Sequence, residues 1–319
     1  MAGLRCRRDT EPSMTNLFRR VYFSTIALTL CNVTVSSNEV GRPPIIDMHV
    51  HAYTISAEDK LDFPWVPKGI KPPASTEALM HATLAQMRKF NVVKAWTSGS
   101  TDLVLKWKAA APEVIIGAFE FESVENFEPL ESMRALLASK RFEGIGEVIA
   151  QIAGLTPSDP FFEPYLQLAE EQDIPVAFHT GLPIPGVVYL WSPNARASLG
   201  TPLGAENALV RHPKLRAYIM HAGYPFIDDT IAFFHMHPQV YADLAEIDWM
   251  IPRAEFHQYL CRLEQAGFGK RLMFGSDQMW WPDAIGIAID AIESAPCLSR
   301  EDKRDIFYNN AARFLHLDR

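Results

Sequence analysis

The apolar run IIDMHVHA ends in Asp47-Met48-His49-Val50-His51, which sets two imidazoles two residues apart. Side chains alternate along a strand, so His49 and His51 point the same way and can share one cation. Imidazoles this close inside an apolar core are costly unless something binds them. Three further apolar runs end in groups of the same kind: His179 in VAFHTG, His221 in YIMHAG and Asp277 in MFGSD. One ligand-bearing residue at each of several strand ends is what a metal site at the mouth of a barrel requires. The other six histidines, His81, His212, His235, His237, His257 and His316, fall in helical or loop patterns and read as structural or solvent-facing.

The elements that would position these groups follow from the apolar pattern. Eight strand-length runs occur, at 45–52, 92–99, 114–122, 142–150, 174–181, 215–223, 240–246 and 271–277. Their near-continuous apolar character predicts strands buried on both faces, as in a parallel sheet. Amphipathic helical patterns lie between them at 75–91, with Ser75 as N-cap, and at 127–140, 160–173, 253–269 and 299–315. Strand and helix alternating without a break predict an α/β fold, a single-domain (β/α)8 TIM barrel spanning residues 41–319. No glycine-rich phosphate loop follows the first strand, which disfavours an open doubly wound sheet. The candidate ligands then sit at the C-terminal ends of the strands, where barrel active sites form.

IIDMHVHA, VAFHTG, YIMHAG, FGSD and the closing YNNAARFLHL together resemble the amidohydrolase superfamily. The resemblance is to its aminocarboxymuconate semialdehyde decarboxylase-like branch, and it runs from about Pro44 to the C-terminus. It implies one or two divalent metals, usually zinc. By this similarity His49, His51 and His179 are ligands, and Asp277 binds metal and manages the proton of an attacking water. His221 is then a second-metal ligand or a free catalytic residue. Glu147 in GIGEV lies where several subgroups bridge two metals, and facing inward it would complete a two-cation site. The competing reading makes it one half of an ion pair. Glu120 and Glu122 are weaker candidates, as rim residues or partners of a ligand histidine. The expected activity is metal-dependent hydrolysis of a small amide, ester or lactone with a metal-activated water. The alternative is a non-oxidative decarboxylase or hydratase of a small carboxylic acid. A third reading, a non-catalytic barrel, gives no reason to keep the full ligand set.

For the substrate, the long fifth loop (182–200) offers Tyr189, Trp191 and Arg196, and the eighth offers Trp280 and Trp281. Tyr53, Trp65 and Trp249 add aromatic surface, which suits a ring-containing or apolar small molecule; Arg196 could pair with a carboxylate. A net charge of −8 over 319 residues excludes a basic nucleic-acid binder and a polybasic membrane anchor, and leaves a homo-oligomer open. Residues 1–40 read as a leader. Arg19 and Arg20 precede an apolar stretch from Val21 to Val35, and Val35-Ser36-Ser37 resembles a signal-peptidase site. Export to the periplasm or medium is expected, against a disordered arm on a cytoplasmic enzyme. Cys6, Cys31, Cys261 and Cys297 are too scattered for a disulfide framework, and Cys261 is expected to be a small buried apolar residue.

Overall fold

Eight parallel strands follow one another around a barrel in chain order. They are β1 Ile45–Ala52, β2 Val92–Gly99, β3 Ile115–Phe121, β4 Gly144–Val148, β5 Val176–Phe178, β6 Ala217–Ile219, β7 Tyr241–Asp243 and β8 Leu272–Met273. The computed structural model describes residues 41–56, 61–121 and 123–317, so the expected leader with Cys6 and Cys31, and Glu122, lie outside the described residues. Closure is made by backbone bonds past the end of β8. Met48 N–H donates to the Phe274 carbonyl at 2.9 Å, and Asp277 N–H donates to the His49 carbonyl at 2.8 Å. The expected (β/α)8 barrel is what the chain forms.

β5 to β8 span only two or three residues of ladder, whereas their apolar runs are seven to nine residues long. Beyond each ladder the chain stays buried but leaves sheet geometry, and the site residues lie on these tails. Helices at Thr76–Lys89, Leu130–Ala138, Glu163–Glu171 and Arg253–Gln265 fall within the expected segments. The first is capped by Ser75, whose side chain accepts from Ala78 N–H at 3.2 Å. Helices at Thr101–Ala110, Ile227–Met236 and Ala284–Glu293 were not expected. The last, AIGIAIDAIE, is apolar nearly all round and lacks the polar stripe that marks a surface helix. The expected helix at 299–315 is broken by a π-turn at Asp305–Asn309.

Two cores result. The larger lies between sheet and helices. The smaller fills the barrel with Ile46, Met48, Trp96, Ile116, Ala118, Ala177, Tyr218, Met220 and Met273, and Phe314 closes its lower end. Among the described residues no helix is long and apolar enough to cross a membrane.

The cysteine expectation is corrected. Cys261 and Cys297 form a disulfide, with Cα atoms 5.7 Å apart. They are 36 residues apart in sequence, but the helices Arg253–Gln265 and Ala284–Glu293 are neighbours around the barrel. Arg253 Nη1 reaches Asp290 at 2.9 Å, and His257 Nε2 reaches the Ala291 carbonyl at 2.9 Å, which holds the pair in register. Sequence spacing hides this because proximity is set between successive outer helices.

Candidate metal centre

Strict alternation from Ile46 and Met48, which face the barrel interior, would send His49 and His51 outward. The register of β1 against β2 slips between Asp47 and Val50. Val50 and Ala52 therefore join the outer core, and the two imidazoles turn in. Asp47 Oδ1 fixes the slip by accepting His49 N–H at 3.1 Å and Ser276 N–H at 2.9 Å. A similar irregularity in β4, between Ile145 and Val148, turns Glu147 inward. It depends on Gly146, whose φ of +131° is closed to other residues and whose added Cβ would lie 2.4 Å from that of Ala177. His221, Glu246 and Asp277 sit on the tails of β6, β7 and β8 with φ of +57°, +65° and +43°. Non-glycine residues held in this region cost about 1–3 kcal/mol each and concentrate at functional sites.

The four imidazoles present one nitrogen outward to the protein and the other to a common centre. His49 Nδ1 lies 3.2 Å from Asp243 Oδ2, His51 Nδ1 3.2 Å from Ser98 Oγ, and His221 Nδ1 3.0 Å from the Ala245 carbonyl. His179 Nδ1 is bonded by the Gln151 side-chain amide. On the inner side, His49 Nε2 and His51 Nε2 are 3.1 Å apart. Glu147 Oε2 is 3.5 Å and 3.1 Å from them. Asp277 Oδ1 is 3.9 Å and 3.1 Å from the same pair. The other carboxylate oxygen, Glu147 Oε1, faces His179 Nε2 at 3.5 Å and His221 Nε2 at 3.8 Å. Anchoring one ring nitrogen fixes the tautomer and aims the other at a metal.

These donors fit a divalent cation. His221 Nε2 and Asp277 Oδ1 are buried, and neither has a hydrogen-bond partner among the described residues. Buried polar atoms left this way are rare unless a ligand completes them. The donors group within 4.8 Å as His49–His51–Asp277, His49–Glu147–His221, His51–Glu120–Glu147 and His221–Glu246–Asp277.

The electrostatics agree. Burial lowers the basicity of His49, but Asp277, Glu147 and Asp243 outweigh it and hold the ring well above its ordinary range. His51, buried beside Asp277 and Glu147, is pushed up to about 10. His221 is also buried, and Glu246 and Glu147 raise it to about 9. Burial and the neighbouring His221 drive His179 down to about 3. Glu147 and Asp277 resist the effect of their own burial and are lowered by the surrounding imidazoles, His49 foremost. The carboxylates demand positive charge here, and a divalent cation meets that demand while the imidazoles give up their protons.

The cavity above this centre has a volume of about 640 Å³. Its lining includes His51, Glu147, His179 and Asp277, with Tyr53, Glu120, Glu246, Trp191 and Trp280. His49 and His221 lie beneath it, buried. Tyr189 and Arg196 do not line it. Tyr189 is 90% exposed on the rim. The Arg196 guanidinium is occupied by the carbonyls of Pro193 and Ala195, at 2.8 and 2.7 Å. Glu120 accepts from Tyr53 O–H at 2.7 Å, and Tyr53 stacks on His51 with centroids 4.3 Å apart. Trp249 is buried and donates to the Ser276 carbonyl at 2.7 Å. Sequence reasoning missed Asp243, Glu246 and Gln151. Asp243 and Glu246 lie in the run VYADLAE, and the signal was there: a carboxylate at a strand end, as for Asp277.

A family model described as Amidohydrolase matches residues 46–317. No curated protein matches the sequence. Among solved structures, a 2,6-dihydroxybenzoate decarboxylase from Rhizobium is similar at 13% identity with a TM-score of 0.61, covering 88% of this chain and 100% of that one. A candidate 2-pyrone-4,6-dicarboxylic acid hydrolase from Acinetobacter baumannii is similar at 14% identity and TM-score 0.60, covering 86% and 100%. A dihydroxybenzoic acid decarboxylase from Polaromonas with bound manganese is similar at 13% identity and TM-score 0.55, covering 74% and 85%. At such identities these likenesses speak for the fold alone. The family match spans nearly the whole barrel, strand-end residues included, and on it the chain belongs to the amidohydrolases.

Proposed function

We propose that the chain is a hydrolase of a small carbonyl substrate, an ester, lactone or amide, working with two divalent cations, zinc the first expectation. The carrying observation is the division of Glu147: Oε2 faces His49 and His51, and Oε1 faces His179 and His221. His49, His51 and Asp277 would hold one cation and His179 and His221 a second, with Glu147 facing both sets. Divalent cations acidify water and polarise a carbonyl oxygen. The chain's own residues do the rest. Asp277, which lines the cavity, takes the proton of the attacking water. Water oxygen joins the carbonyl carbon, the bond to the leaving oxygen or nitrogen breaks, and Asp277 returns the proton to that atom. Asp243, Ser98, Gln151 and the Ala245 carbonyl keep the four rings aimed throughout.

The alternative, decarboxylation of a small acid, is the activity named for several structures of like fold. Metal analysis separates the two when joined to turnover. We expect about two equivalents of metal per chain, falling to about one in Glu147→Gln with loss of hydrolysis by roughly a hundredfold or more. Saturation at one equivalent, together with unimpaired hydrolysis by Glu147→Gln, sinks the proposal; release of carbon dioxide from aromatic acids by such a protein installs the alternative. The Cys261–Cys297 disulfide supports export, since such bonds persist in oxidising compartments.

A further inference from the structure

The hydrolase reading leaves the substrate open, and the walls of the same cavity narrow it. Among the described residues lining it there is no lysine and no arginine. Four carboxylates are present: Glu120, Glu147, Glu246 and Asp277. Among the described residues the wall offers no side-chain cation to an anionic substrate. Arg196, the fifth-loop cation suited to such a role, does not line the cavity and turns Nη1 to two backbone carbonyls.

Most of the remaining wall is apolar, with Thr54, Ser123, Asn126 and Ser192 as its uncharged polar members. Tyr53, Phe63, Trp191 and Trp280 contribute ring faces, and Ile149, Ile152, Ile184 and Val187 fill between them. Tyr53 and Trp280 stand 5.1 Å apart, tilted at 39°. This surface continues outward over the short helix Val187–Leu190, where Leu190 and Trp191 are each 57% exposed. An uncharged ring in this slot would bury apolar area against aromatic faces, whereas a carboxylate would meet other carboxylates and, among the described residues, no cationic side chain.

Resting on the hydrolase reading, we propose that the substrate is an uncharged, ring-bearing ester, lactone or amide, and that the pocket rejects analogues with a carboxylate away from the scissile bond. This sets the chain apart from the structures of like fold named for aromatic or pyrone carboxylic acids.

The test uses the metal-loaded protein and two 2-naphthohydroxamates. Both carry the same metal-seeking end; at ring position 6 one has a carboxamide and the other a carboxylate. Calorimetry is expected to show the carboxamide binding about tenfold tighter or more, because an unpaired buried charge is what separates the two. Ile184→Arg, which supplies a cation to the wall, is expected to shrink or reverse that ratio. Equal or tighter binding of the carboxylate by the natural protein overturns the proposal, as does failure of both compounds to bind. Failure of the hydrolase reading looks different: the expected binding preference appears, yet 2-naphthyl acetate releases no naphthol.

Discussion

Asp243 shows how much of the centre depends on a residue that would not touch the metal. Its Oδ1 accepts two backbone donors, His221 N–H at 2.8 Å and Ala245 N–H at 3.1 Å, while Oδ2 faces His49 Nδ1. In Asp243→Asn the carbonyl oxygen must stay with the two backbone donors, so the amide NH2 turns to His49. The His49 proton is then driven to Nε2, where a ligand lone pair is needed. We expect metal affinity to fall by about 10- to 100-fold, measured by competition against a chromogenic chelator, with the circular dichroism unchanged. Unaltered affinity would mean that His49 binds no metal. The four histidines of the centre were legible in the sequence because each ends a run of strand character. Gln151 was not, since its role is to orient another side chain, and that leaves no periodic mark.

At the level of the element, the strands carry their site residues through departures from regularity. β1 slips by a residue after Met48, and β4 twists at Gly146. Gly146→Ala therefore asks a side chain to occupy φ of +131° with its Cβ 2.6 Å from the Ala177 carbonyl oxygen. A loss of about 2–4 kcal/mol in urea unfolding is expected, with Glu147 displaced and bound metal reduced in whatever folds. Full stability and full metal content would show that the β4 distortion is not needed. Alternation correctly put His49 and His51 on one face, but it could not say which face, because the slip that decides this comes from pairing with β2 and from Asp47. The broken C-terminal helix escaped notice for a related reason: its amphipathic pattern survives the π-turn at Asp305–Asn309.

For the molecule as a whole, strand count and order were readable because eight buried runs recur with helical spacers. What eluded the reading was contact between outer helices, of which the Cys261–Cys297 bond is the clearest case. Cross-linking residues 36 apart restricts the unfolded chain, by an amount the loop-entropy relation puts at about 3–4 kcal/mol. The double variant Cys261→Ser/Cys297→Ser is expected to unfold at correspondingly lower urea, while retaining metal, since the bond lies on the outer helices. An unchanged midpoint would mean the bond adds no stability.

The seam between the first strand and the last has a consequence for how the protein is made. His51 N–H is received by the Gln278 side chain, 227 residues further along. A ribosome therefore delivers the first imidazoles long before the partners that surround them, and a cation would find the full set of donors only in a nearly finished polypeptide. Filling of the centre would then be a closing act of biogenesis, and the compartment in which it happened would decide which ions were on offer.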